Sequence, residues 1–404
     1  MRNFLKLFVL AALCCSSVLQ AAGSLQRGTE IRRRIESVKS ITYYKGEWSW
    51  ADFDLADFKD TLAQMRQTGA NTVWLVLPWI DFQPQALPEP LWNEEAVKNL
   101  TAAVTAADDC GMDVILPLCY LGTGWSPEGI DPCIWTVDAS MYGAFKSYSR
   151  ELVGKLIRSG NDNMIFLLYG EGCYPYISSL RDYDVTVESF KAWCRKNNSS
   201  IDYWNKRWGT EYSWDNLLPF KGGTSDPRDA NAWTDYWRWS SDVVRAAHGG
   251  LARELRGVIK GKAIIGYHDD AIISKDWGLG ATPIPEDNPY QFLSFAHYYT
   301  EQEFGSLDKF ISETNTIIST FRQAYPQMPL GIFETGLCVH QSDIDSQAKV
   351  VEEMAGIANK KNVGINIWMW QDHETGDDCQ RTFGLLYPDG REKPAYTVLK
   401  KAWK

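Results

Sequence analysis

Eight short apolar runs, each the length of one buried strand, are spaced along this 404-residue chain with helical patterns between them. They read SITYYKGEW (40–48), NTVWLVLPW (71–79), MDVILPLCY (112–120), NMIFLLYGE (163–171), KAIIGYHDD (262–270), FLSFAHYY (292–299), PLGIFE (329–334) and VGINIWMW (363–370). Apolar residues fill these runs almost without alternation, which is the mark of a parallel sheet covered on both faces. Amphipathic stretches at 55–68, 94–110, 140–158, 235–255, 307–325 and 343–360 supply the covering helices. Several end in glycine, as in QTGANTV and DDCGMDV, where the chain turns into the next strand. Eight parallel strands alternating with helices close into a barrel, so the expected fold is α/β: one (β/α)8 TIM barrel.

Such a barrel needs about 250 residues, and much of the surplus falls between strands 4 and 5, in an insertion of roughly 90 residues. There, seven tryptophans (Trp193, Trp204, Trp208, Trp214, Trp233, Trp237 and Trp239) crowd together. Flat indole faces stack on sugar C–H faces, although a single tryptophan in a large protein ordinarily fills core. If the segment walls a sugar cleft, at least one of the seven must reach the substrate. No internal repeat or Gly/Ser-rich linker marks a second domain, and Pro394 opens a final helix that completes the barrel.

The first 22 residues carry Arg2 and Lys6, an apolar run from Phe4 to Cys15 and small residues at Ala21 and Ala22. This is the pattern of a cleaved export signal, too short to span a bilayer. A lipidated Cys14 or Cys15 is disfavoured because Leu13 is not small. Residues 23–404 are therefore expected to form the barrel domain, exported to the periplasm or the outside, with no membrane span. The net charge of −10 argues against nucleic acid as a partner. Seven cysteines follow the signal, an odd number without a CxxC pair, so one or two bridges are expected but no zinc signature. No GxGxxG or Walker A sequence calls for a nucleotide, and no cofactor is expected.

Glu171 ends the fourth run and Glu334 the seventh. In a (β/α)8 barrel the loops after the strands converge at one mouth, so both carboxylates are expected to face one pocket. Glycoside hydrolysis needs such a pair: one group protonates the leaving oxygen and the other attacks the anomeric carbon. Two carboxylates at matched strand ends favour this chemistry over a pair of solvated loop residues.

Glutamates at the ends of strands 4 and 7 resemble the pair that defines the clan A glycoside hydrolases, which are retaining β-glycosidases. The segment from Ser189 to Phe220, with its Trp208-Gly209-Thr210 turn, is similar to the strand 4 to 5 insertion of glycoside hydrolase family 42, the β-galactosidase family. TYYKGEW and LAQMRQTGANTVWL also resemble that family, so the likeness runs from about 40 to 404. It implies that Glu171 is the acid/base and Glu334 the nucleophile of a double displacement on a β-galactoside, β-glucan or β-mannan. It further implies that His297 and Tyr299 line the site, one of them bonded to the nucleophile, and that Trp370 is the platform under the sugar. Tyr267 and Trp79, also near strand ends, complete the set of expected substrate contacts.

The chain departs from the clan in one place. The clan usually has Asn before the acid/base, touching the sugar 2-hydroxyl, and this chain has Gly170. The departure leaves the substrate open and motivates an alternative, a sugar-binding barrel without catalysis. A metal-dependent barrel hydrolase is a second alternative, since His268, His297, His340 and His373 follow strands 5 to 8 with Asp269, Asp270, Asp372 and Asp377 nearby. Barrels of the amidohydrolase type, however, place His-x-His on strand 1, and ITYYKGEW has no histidine.

Overall fold

The computed structural model describes residues 26–46, 49–120, 124–131, 134–170, 183–219, 230–269 and 289–404. The expected export signal and Glu171 lie outside the described residues. Eight strands form one closed, wholly parallel barrel in chain order: β1 (Lys39–Tyr43), β2 (Thr72–Leu75), β3 (Asp113–Pro117), β4 (Met164–Leu167), β5 (Ile264–Asp269), β6 (Phe292–Ala296), β7 (Leu330–Thr335) and β8 (Gly364–Ile367). Closure is through β1 and β8, where Ser40 pairs with Asn366. The (β/α)8 barrel read from the eight apolar runs is the fold observed.

The connecting helices begin and end where local chemistry requires. In the helix Leu55–Thr68 the Asp54 side chain accepts the Ala56 and Asp57 amide hydrogens, satisfying orphan donors of the first turn. The helix stops at Gly69, whose φ of 98° lies in the left-handed region. Pro394 stands at the start of the final helix, Pro394–Trp403, where its missing N–H costs no hydrogen bond.

Two apolar layers result. Inside the barrel sit Trp74, Ile115, Ile165, Leu167, Ile264, Phe292 and Phe333. Outside it, Val73, Leu75, Val114, Leu116, Phe166, Ile265, Leu293, Ile332 and Ile365 meet the helices. The interior is tight enough to demand small residues: a Cβ on Gly266 would stand 2.1 Å from the Phe292 ring, and one on Gly331 2.2 Å from Phe333. A helix over residues 26–36 closes the bottom, placing Ile35 in the inner layer, while Arg34 grips Asp113 at 2.8 and 2.7 Å.

The strand 4 to 5 insertion forms a core of its own. Helices Asp184–Asn197, Ile201–Trp208 and Ala230–Ile259 bury Phe190, Trp204, Trp208, Tyr236 and Trp239 together, with Trp193 and Trp214 packed against them. The Trp208-Gly209-Thr210 turn is a helix stop: Gly209 has φ 68°, and the Trp208 indole donates to buried Asp235 at 3.0 Å. These five tryptophans are scaffold rather than a cleft wall; the side chains of Trp233 and Trp237 lie outside the described residues.

The segment after β8 is pinned by a buried ion pair, Lys393 to Asp372 at 2.7 Å. Burial holds the Asp372 carboxyl above its ordinary range and the Lys393 ammonium below its own. Removing one partner strands a buried charge. Lys393→Met is therefore expected to lower stability by about 3–5 kcal/mol, and a Lys393→Met/Asp372→Leu double variant by much less, in denaturant unfolding. A double loss equal to the sum of the Lys393→Met and Asp372→Leu single losses would show that the pair carries no coupling.

Candidate active site

Glu334 lies in β7 near its C-terminal end and is almost fully buried, at 1% exposure. An irregularity in the strand aims it. Ile332 pairs with Phe295 and Ile365, but Glu334 already pairs with Ala296 and Thr335 with Ile367, so β7 carries one extra residue. Phe333 packs inside the barrel, and the extra residue turns the next side chain inward as well.

Each carboxylate oxygen receives a phenol. Tyr298, just after β6, donates to Oε2 at 3.1 Å, and Tyr120, after β3, donates to Oε1 at 3.4 Å. The Trp74 indole donates in turn to the Tyr120 hydroxyl at 2.7 Å. On β5, His268 stands 4.0 Å from Oε1 through Nε2. Its Nδ1 meets Ser294 Oγ at 3.0 Å, and that hydroxyl spends its proton on the Tyr267 carbonyl. Burial pushes the His268 pKa down to about 3, so the ring is neutral at pH 7.

Above this floor opens a cleft of about 500 Å³. Tyr120 and Tyr298 form its base, and Tyr44, Trp125, Trp368, His373 and Phe383 its sides. The rings brace one another: Tyr44 lies edge-on to His373 at 4.6 Å and near Trp368 at 5.9 Å, and Trp125 meets Tyr120 at 5.4 Å. Trp368 Nε1 donates to Gln380, and His373 Nε2 donates to the Tyr44 carbonyl at 3.1 Å. Thr375, Gly376, Asp377 and Gln380 add a polar rim.

A disulfide ties this rim to the strand that bears Glu334. Cys338, four residues past the carboxylate, bonds Cys379, next to Gln380. Gln347 reinforces the join by donating to the Leu337, Thr382 and Phe383 carbonyls. In the chain-entropy picture a bridge over this separation stabilises by about 3–4 kcal/mol. Cys379→Ser is expected to lose that much in denaturant melts and to weaken ligand binding in the cleft; a variant that melts and binds like the parent would remove the bridge from the site's framework.

Of the residues expected from sequence, Glu334 lies beneath the cleft, bonded to the Tyr120 and Tyr298 hydroxyls of its base, and Glu171 lies outside the described residues. The other five are not brought to the cleft. His297 turns outward, its Nδ1 2.9 Å from Thr314 on helix Leu307–Ala324 and its ring stacked on Phe310. Tyr299 packs against Phe304 and Phe310. Tyr267 faces outward onto Tyr290, Trp370 meets Tyr396 of the final helix, and Trp79 stacks on Tyr148 while bonding Gln83. The physical reason is strand phase. In β6 Phe292 points inward, so two-residue alternation carries Tyr298 inward and sends its neighbours out. Past the end of β8 the alternation no longer holds: Trp368 reaches the cleft and Met369 packs with the inner layer, while Trp370 packs with the outer one.

Tyr298, Trp368, Tyr120 and His268 are the functional candidates that sequence reasoning passed over or assigned elsewhere. One signal marked the phase: the small residues Gly266, Ser294 and Gly331 sit where the crowded interior tolerates nothing larger, and Tyr298 is in step with Ser294. Among the described residues no group of three or more His, Cys, Asp or Glu could hold a metal ion, and His340 pairs with Asp378 at the exposed surface. No helix among them is long and apolar enough to cross a membrane.

No family model matches the chain. Beta-galactosidase BbgII of Bifidobacterium bifidum is 20% identical over 301 residues, which are 67% of this chain and 41% of that protein. The chain therefore spans less than half the length of that curated relative. Among solved structures, a GH5_18 variant from Streptomyces cattleya in complex with Manβ1-4GlcNAc superposes with a TM-score of 0.60 at 16% identity, covering 91% of this chain and 80% of that one. A β-galactosidase from the Antarctic haloarchaeon Halorubrum lacusprofundi gives 0.62 at 16% identity, covering 90% and 57%. The chain shares the (β/α)8 fold of these glycoside hydrolases.

Proposed function

We propose that this chain is a retaining β-glycosidase of clan A type in which Glu334 is the nucleophile and Glu171 the acid/base. The observation that carries the reading is Glu334 itself: a buried carboxylate near the end of β7, held by two phenols beneath an aromatic cleft at the barrel mouth. A carboxylate so held is fixed in position to attack, and hydrogen-bond donors favour its ionised form. Tyr44, Trp125 and Trp368 offer flat faces on which a sugar ring stacks.

A β-galactoside or β-mannoside is the first substrate to try, because the similar proteins are β-galactosidases and an enzyme bound to Manβ1-4GlcNAc. Membership of family 42 and export of the mature chain belong to the same proposal. The catalytically silent alternative drew on Gly170, and that glycine has a packing reason of its own: the Tyr120 ring occupies the space beside it. The test is a panel of β-linked oligosaccharides and aryl β-glycosides, with products followed by NMR. Retention of the β-anomer in the first-formed product supports the reading. Sugar binding without hydrolysis across the panel would leave a binding barrel, and inversion would exclude the double displacement.

A further inference from the structure

We propose that Tyr120 positions the Glu334 carboxylate, and that residue 170 is glycine because the Tyr120 ring stands where its side chain would be. The proposal rests on the glycosidase reading above and names the part of that site which sequence comparison passes over.

The steric half is direct. A Cβ placed on Gly170 would lie 2.1 Å from Tyr120 Cζ and 2.2 Å from Cε1, far inside contact distance, and the clash is with the body of a rigid ring. The two residues are also locked in register, since the Gly170 amide donates to the Cys119 carbonyl at 2.9 Å. The ring is packed in the base of the cleft at 2% exposure, so a side chain at position 170 must push it out of the place from which it reaches Glu334. Position 170 immediately precedes Glu171, which ties the phenol to both carboxylates of the proposed pair.

The polar half follows from donor counting. An indole N–H only donates, so the 2.7 Å contact from Trp74 Nε1 makes the Tyr120 oxygen its acceptor. The Tyr120 proton is then directed to Glu334 Oε1. That oxygen is also the one nearest His268 Nε2, at 4.0 Å, so the phenol fixes the side of the carboxylate that faces β5. Tyr298 holds the other oxygen. The titratable groups facing the carboxylate among the described residues are thus Tyr120 from the β3 end, His268 on β5 and Tyr298 from the β6 end.

The test uses the full-length enzyme and an aryl 2-deoxy-2-fluoro-β-glycoside of whichever sugar it hydrolyses, with covalent labelling of Glu334 followed by intact mass. Tyr120→Phe keeps the ring and removes one oxygen. It is expected to slow labelling by about 10- to 100-fold, as for loss of a hydrogen bond to a charged group. Losing a donor to the ionised form also moves the acidic limb of the kcat/KM profile to higher pH, a change that looser packing alone does not produce. Gly170→Ala displaces the ring and should reproduce both effects. In a Tyr120→Ala background, where no ring remains to displace, it should add nothing. Labelling of Tyr120→Phe at the parental rate with the acidic limb unmoved, or additive losses in the double variant, overturns the proposal while leaving the glycosidase reading intact. A parental enzyme that takes no label at Glu334 overturns that reading and this proposal with it.

Discussion

Glu334→Ala is expected to abolish turnover of natural β-glycosides, with kcat falling by roughly 10⁴-fold or more, as when a covalent nucleophile is lost. The fold should survive, because alanine removes a buried charge along with its acceptors and, among the described residues, leaves the Tyr298 and Tyr120 hydroxyls to find new partners. The space vacated beneath the cleft admits a small anion. With azide and an activated aryl β-glycoside, attack from that side at the anomeric carbon forms a C–N bond as the aryloxide leaves, giving the α-glycosyl azide. NMR of the product reads the anomer directly. A β-azide from this variant would show that Glu334 is not the attacking group.

Glu171→Ala is expected to behave oppositely. With a good leaving group the glycosyl-enzyme still forms at Glu334, but its breakdown slows by roughly 10²- to 10⁴-fold, because no general base activates water. Azide needs no such help. It intercepts the intermediate from the face opposite Glu334, so the product is the β-glycosyl azide and turnover rises with azide concentration. On substrates with poor leaving groups azide should give no rescue, since the first step then needs the missing acid. The two variants together separate the roles: the same anomer from both would show that the roles are misassigned. His268 and Tyr298 cannot substitute for Glu171 in this scheme, since one is neutral and buried and the other already donates to Glu334.

Much of the architecture was legible before any coordinates. Helix boundaries such as Leu55–Thr68 and Glu94–Asp109 follow from caps and glycine stops that are local chemistry, and a local signal survives in the sequence. Glu334 was legible for a related reason: a carboxylate at the end of an apolar run has few structural uses. The disulfide was less so, because cysteines 41 residues apart give no hint of proximity until β7 and β8 lie side by side.

Just after β6 the residue facing the cleft lies one position from those expected, Tyr298 between His297 and Tyr299, while past β8 it is Trp368 rather than Trp370. The cause is physical. Strands of a covered parallel barrel are apolar on both faces, so the alternation that tells in from out in an exposed sheet is absent. The Trp-rich insertion was ambiguous in the same way, since a tryptophan packed under helices and one facing a sugar have identical composition.

The sequence by itself determined the number of strands, the fold they close into and the place of Glu334 near the end of the seventh strand, because periodicity and strand ends are properties of neighbouring residues. Only the tertiary structure decided which rings face the cleft, how the extra residue in β7 turns Glu334 inward, and why residue 170 is glycine. Each of those depends on contacts between strands far apart in the chain, where a shift of one position exchanges the inside of the barrel for the outside.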